Sequence, residues 1–172
     1  MPRSGVVVDG LGGEGVSYRA SARDRSQTGD ALKMQEINFD EKVEMILAKD
    51  SRYARDVYSF VRESLDHTQK LVSKENRGMQ RHITGQELLD GIRQLALNQF
   101  GPMAATVLEE WGVRDSRDFG EIVFNMVEIE LLAKTENDNR DDFNNGYDFT
   151  EAFRKPFWPP SRLILESKPA IG

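Results

Sequence analysis

The residues best suited to chemistry fall into three groups. Arg52, Arg55, Arg62, Arg77 and Arg81 gather guanidinium groups in the first half of the chain, the donors that phosphate recognition uses. Glu121, Glu128, Asp141 and Asp142 place carboxylates along the second half, where a basic protein partner could meet them. Phe153, Phe157, Trp158, Pro159 and Pro160 end the patterned chain in an aromatic and proline stretch. Such a stretch either wraps over its own core or fills a groove on a partner.

Catalytic and metal chemistry finds less support. The two histidines, His67 and His82, lack the spacing of a His-Glu-x-x-His helix and read as surface or packing residues. The absence of cysteine removes thiolate zinc sites, iron–sulfur clusters, disulfides and thiol nucleophiles together. Asp141 to Ala152 imitates a calcium loop but places Phe143 and Ala152 where an oxygen ligand and a bidentate Glu belong. Gly10-Leu11-Gly12-Gly13-Glu14-Gly15 resembles a phosphate loop, yet no helical pattern and no Gly-Lys-Ser/Thr follows it. The expectation is a non-enzymatic protein with no catalytic, cofactor or metal residue, a hydrolase or metal enzyme being the residual alternative.

Charge ranks the remaining readings. Twenty-three Lys and Arg face 29 Asp and Glu, a net charge of -6 with a pI near 5.1. Residues 109–172 hold 14 acids against 8 bases, so the whole imbalance lies there. That favours an interaction or adaptor module whose acidic C-terminal surface meets a protein partner, including a second copy of the chain. Nucleic acid is the less favoured partner, bound through the arginine set in a transcription-associated role.

The elements that must position these residues follow from periodicity. Residues 1–33, rich in Gly, Ser and Arg, read as a disordered head, with Met34 a candidate native start. Residues 34–80 read as a leading helical pair and linker. Asn38 or Asp40 caps the first helix, and Asp50 or Ser51 opens the second. Residues 81–155 read as a winged-helix-like unit. Thr84-Gly85-Gln86-Glu87 fits a capping box, Gly101-Pro102 joins two helices, and Ser116 or Asp118 caps a third. The polar segment 134–148, with Asn145-Gly146, then predicts a small β-hairpin as the wing, followed by a brief helix at Thr150–Arg154. Residues 156–172 read as an extended tail. The fold class is thus mainly α with a small hairpin. The alternative is an all-α bundle of tandem related halves, because Phe39 to Leu47 echoes Phe119 to Val127. No apolar run reaches the ~20 residues of a membrane span, and no signal peptide is visible, so a cytoplasmic protein is expected.

Four stretches together resemble a bacterial repeat-protein family of the planctomycete and verrucomicrobial lineage. They are Ser51 to Val61, Arg81 to Leu89, Asp118 to Phe124, and Asp141-Asp142-Phe143-Asn144-Asn145-Gly146-Tyr147-Asp148-Phe149. The resemblance spans roughly residues 36–157 and implies a conserved bacterial protein of unknown function, with no activity or ligand to carry over. It also implies a Gly closing the third helix of the 81–155 unit, where this chain has Glu130.

Overall fold

Thr84 opens the helix around which the others assemble. Its hydroxyl accepts the Glu87 N–H at 3.1 Å, while the Glu87 carboxylate accepts the Thr84 N–H at 2.8 Å. This reciprocal cap satisfies two donors that would otherwise face no partner. The computed structural model describes residues 28–79, 81–136 and 138–162. Five α-helices run through them: α1 (Thr28–Lys49), α2 (Arg55–Glu75), α3 (Gly85–Phe100), α4 (Ala104–Glu110) and α5 (Ser116–Glu128). The protein is mainly helical, and among the described residues there is no β-strand, only an isolated bridge position at Leu132.

One apolar core takes side chains from every helix. Val43 and Ile46 of α1, Val57, Tyr58 and Val61 of α2, Leu88 and Ile92 of α3, Leu108 of α4, and Phe119, Ile122 and Met126 of α5 are all essentially inaccessible. The leading pair and the later helices therefore close over the same interior. The tightest crossing is between α2 and α3. Gly91 lies so close to Thr68 that a Cβ there would overlap the Thr68 Oγ1. Thr68 and Ser64 satisfy their buried hydroxyls by donating to the C=O groups of Ser64 and Phe60 at 2.7 and 2.8 Å. At the far end of α3, Gly101 takes φ 51°, a conformation costly for any side chain. Pro102 then enters a 3-10 turn, Gly101–Met103, leading into α4.

Several boundaries differ from expectation. The first helix begins at Thr28, not near Asn38, so residues 28–33 of the expected head are helical and Met34 lies inside α1. Its early residues Ala31, Leu32, Lys33, Met34, Gln35 and Glu36 are strong helix formers but carry no amphipathic stripe, which hid the helix from a periodicity argument. Residues 1–27 of that head lie outside the described residues. Helix α2 starts at Arg55 after an extended Ala54 rather than at residue 51. The cap of α5 is Asp115, with Asp118 as its reciprocal partner.

The expected hairpin, and with it the winged-helix arrangement, is corrected. Asn139 accepts the Asp141 N–H at 3.3 Å and donates its own N–H to the Asp142 carboxylate at 3.0 Å. This third capping box, after those at Thr84 and Asp115, opens a 3-10 turn, Arg140–Phe143, where a strand was expected. Phe143 is wholly buried beside Gly85 and Gly120, where a Cβ on Gly120 would stand 2.9 Å from the Phe143 Cβ. Gln86 Nε2 donates to the Asp142 C=O at 2.7 Å and Ser116 Oγ to the Phe143 C=O at 2.8 Å. A segment pinned to helices on both sides has no free edge with which to pair as a wing. The tandem-halves alternative also stops at α5: Phe119, Val123 and Met126 are buried as Phe39, Val43 and Ile46 are, but among the described residues no counterpart of α2 follows.

At the position of the expected Gly, Glu130 adopts φ 59°, the left-handed region that Gly enters most cheaply. Its C=O accepts a hydrogen bond from Lys42 Nζ at 3.2 Å. The brief helix Thr150–Arg154 forms as a π-helical turn, and a 3-10 turn, Lys155–Phe157, follows it.

Candidate functional site

The acidic and basic candidate sets meet on the outer face of α5. Residues Asp118, Glu121, Asn125 and Glu128 recur three or four apart and so share one stripe of that helix. Arg52, in the loop before α2, holds Asp50 in a two-point clasp, Nε to Oδ1 at 2.9 Å and Nη2 to Oδ2 at 2.8 Å. The same Nη2 reaches Glu121 Oε2 at 3.4 Å. Glu121 also faces Arg140 Nη1 at 3.8 Å, and Arg140 Nη2 donates to Glu128 Oε1 at 3.3 Å. Asn125 completes the chain, donating to Asp50 Oδ2 at 3.0 Å and to Tyr58 Oη at 3.4 Å. The hydrogen bonds from Arg52 hold the Asp50 carboxyl well below the usual carboxylate range.

Charge counting along the chain missed this arrangement. Arg52 and Glu121 are 69 positions apart, and only the packing of α2 against α5 brings them together. The stripe is consequently a closed relay of alternating charge rather than a bare acidic face. Asp141 and Asp142 are likewise engaged, Asp141 accepting from Asn144 Nδ2 at 2.9 Å and Asp142 within the capping box.

The arginine set is dispersed. Arg55 pairs with Asp40 at 3.2 Å and with Glu44. Arg62 lies over the Phe39 ring at 4.7 Å, and Arg81 forks onto Glu87 at 2.6 and 3.1 Å. Arg77 stands exposed in the loop after α2 at φ 53°. These five guanidinium groups do not converge on a common cradle. Among the described residues no cluster of three or more metal-ligating side chains occurs, and no helix is long and apolar enough to cross a membrane.

The aromatic set divides in two. Phe153 is fully buried, edge-on to Phe149 at 5.1 Å and to Tyr147 at 5.5 Å, with Phe149 stacked on Phe119 at 6.3 Å. It is an anchor for the turn and does not face a partner. Phe157 is 45% exposed, the only exposed member of the nine phenylalanines. The turn carrying it is braced on both sides. Arg154 Nη2 meets Glu109 of α4 at 2.5 Å, and Lys155 Nζ meets Glu151 at 2.6 Å.

Trp158 follows with extended backbone (φ −72°, ψ 142°), its half-buried ring under the Arg162 guanidinium at 4.2 Å. Pro159 and Pro160 are exposed, and a helical turn begins at Pro160, so residues 156–162 are a knob of short turns and not an extended tail. The rest of the expected tail, 163–172, lies outside the described residues. No protein-family model, curated protein or solved structure matches the chain.

Proposed function

We propose that the protein is a non-enzymatic interaction module that docks a protein partner through the Phe157 knob. The observation that carries this reading is the exposure of Phe157 on a turn anchored by buried Phe153 and held by two ion pairs. A large apolar side chain left in water on a rigid support costs little entropy when a partner covers it, which is the profile of an interface hot spot. Trp158, Pro159 and Pro160 extend the same surface, with Trp158 supplying area and the prolines limiting backbone freedom. Glu109 with Arg154 and Glu151 with Lys155 border the turn as paired charges, which gives the apolar knob a polar rim of both signs. The paired state of Glu121 and Glu128 shifts the weight of the proposal from a general acidic surface to this knob. A bacterial setting is the one that the family resemblance implies.

The test is affinity purification from the native cell with wild-type protein and the Phe157→Ala and Trp158→Ala variants, alongside thermal unfolding of each. The reading expects partners lost in both variants with the melting temperature nearly unchanged. Partners retained by both variants would refute it. Low-salt anisotropy titration with duplex and single-stranded probes tests nucleic acid, since the phosphate contribution is largest there. Tight binding in that assay would displace the proposal.

A further inference from the structure

We propose that Asn145–Gly146 is a site of spontaneous backbone modification, and that the Ser116 hydroxyl holds it back. Packing dictates both residues. Asn145 sits at φ 58°, where Asn is among the few side-chain-bearing residues tolerated. Gly146 is pressed against α3 and α5, so that a Cβ would overlap Leu89 Cδ1 and lie 2.9 Å from Ser116 Cβ. The fold thus selects an Asn followed by the one residue that leaves its backbone nitrogen sterically open. It is the chain's single Asn-Gly pair.

The reaction needs only water. The deprotonated Gly146 nitrogen attacks the Asn145 Cγ, forming a new C–N bond while the carboxamide C–N bond breaks and ammonia leaves with the proton. Water then adds to either carbonyl of the succinimide, giving aspartate or isoaspartate. Asn145 is exposed on an open concavity of about 570 Å³ that Asp115, Asn144 and Asp148 also line, so water reaches it freely.

The guard is the Gly146 N–H, which donates to Ser116 Oγ at 3.2 Å, while Ser116 is itself fixed by donating to the Phe143 C=O at 2.8 Å. Attack requires that nitrogen to leave Ser116 and turn towards Cγ. Conversion would add a carboxylate between Asp115 and Asp148. In its isoaspartate form it would also insert a methylene into the backbone, pulling Gly146 from its seat and loosening the turn that Phe143 anchors.

The experiment ages the intact chain in mildly alkaline buffer, folded and in denaturant, and maps amide-to-acid conversion by peptide mass spectrometry. Isoaspartate is read by enzymatic methylation of the same peptides. The proposal expects conversion at Asn145 ahead of Asn76, Asn98, Asn125 and Asn139, and about tenfold or more slower in the folded chain than in the denatured one. Ser116→Ala should speed the folded-state reaction about fivefold, equivalent to about 1 kcal/mol at 1.36 kcal/mol per tenfold, and Ser116→Thr should restore the slow rate. Equal rates in folded and denatured wild type, or conversion led by another Asn, would overturn it. If Ser116→Ala does not fold, the folded-to-denatured ratio of the wild type decides alone.

Discussion

Tyr53 donates its hydroxyl to Asp118 Oδ1 at 2.8 Å, and Asp118 Oδ2 accepts the N–H groups of Arg114 and Asp115 at 2.8 and 3.2 Å. One carboxylate thus caps α5 and ties that cap to the loop before α2. Burial, with the bond to Asp118, pushes the Tyr53 hydroxyl well above its usual range, so it remains a donor at every physiological pH. Tyr53→Phe keeps the buried ring and removes only this link. It should lower stability by about 1.5–3 kcal/mol, the range for a bond to a charged acceptor. Thermal unfolding should show a fall of roughly 2–4 °C for each kcal/mol in a chain of this size. An unchanged melting temperature would remove Asp118 from this bridging role.

The clasp of Arg52 on Asp50 predicts a pH dependence. The folded-state pKa of Asp50 is depressed below its unfolded value, so its contribution is fully present above the unfolded pKa of about 3.9 and fades as pH falls through the folded one. Glu87, beside Arg81, and Asp115, beside Arg117, are lowered in the same sense. Denaturant unfolding should show wild type more stable than Asp50→Asn at neutral pH, with the gap closing below about pH 4. A gap constant across that window would mean that the variant acts through packing and not through the carboxylate's charge.

The α2–α3 crossing is tested by Gly91→Ala. The added methyl meets Thr68, whose hydroxyl is fixed by its bond to Ser64, so the helices must part. Overpacking of this kind costs about 1–3 kcal/mol. Thr68→Ala in the same chain removes the atom nearest the new methyl, and the double variant should be more stable than Gly91→Ala alone. Additive losses would contradict the contact.

Phe143 tests the reassigned segment. As a hairpin residue on a solvated wing it would tolerate Ala, whereas as a fully buried anchor between helices its loss should cost about 3–5 kcal/mol. Equilibrium unfolding of Phe143→Ala distinguishes the two.

How much of this was legible in one dimension depended on the range of the interaction. The Thr84 capping box, the Gly101-Pro102 junction and the buried face of α5 are local patterns, and each stands where the residues place it. Asn145-Gly146 between aromatics is also a local pattern, but it misled. The chain does turn there, with Asn145 at φ 58°, but the Asn139–Asp142 capping box and the burial of Phe143 leave no strands to pair across the turn, and burial against α3 and α5 is a tertiary fact. The candidate sites depended still more on distance. Glu121 reads as open acid until Arg52 arrives from the loop before α2, and Phe153 and Phe157, both aromatic residues near the same prolines, separate only when the π-helical turn points one into the core. For that difference the local pattern offers one weak signal: Phe153 follows Tyr147 and Phe149 at a spacing that lets the three rings gather, whereas Phe157 stands between prolines.

The docking role of Phe157 is tested most directly by placing a photoreactive phenylalanine analogue at position 157, or at position 153, in the full chain expressed in its native cell. After irradiation, the account predicts covalent adducts with one protein from position 157, suppressed by Trp158→Ala, and none from buried position 153. No adduct from position 157, or equal labelling from both positions, would contradict it.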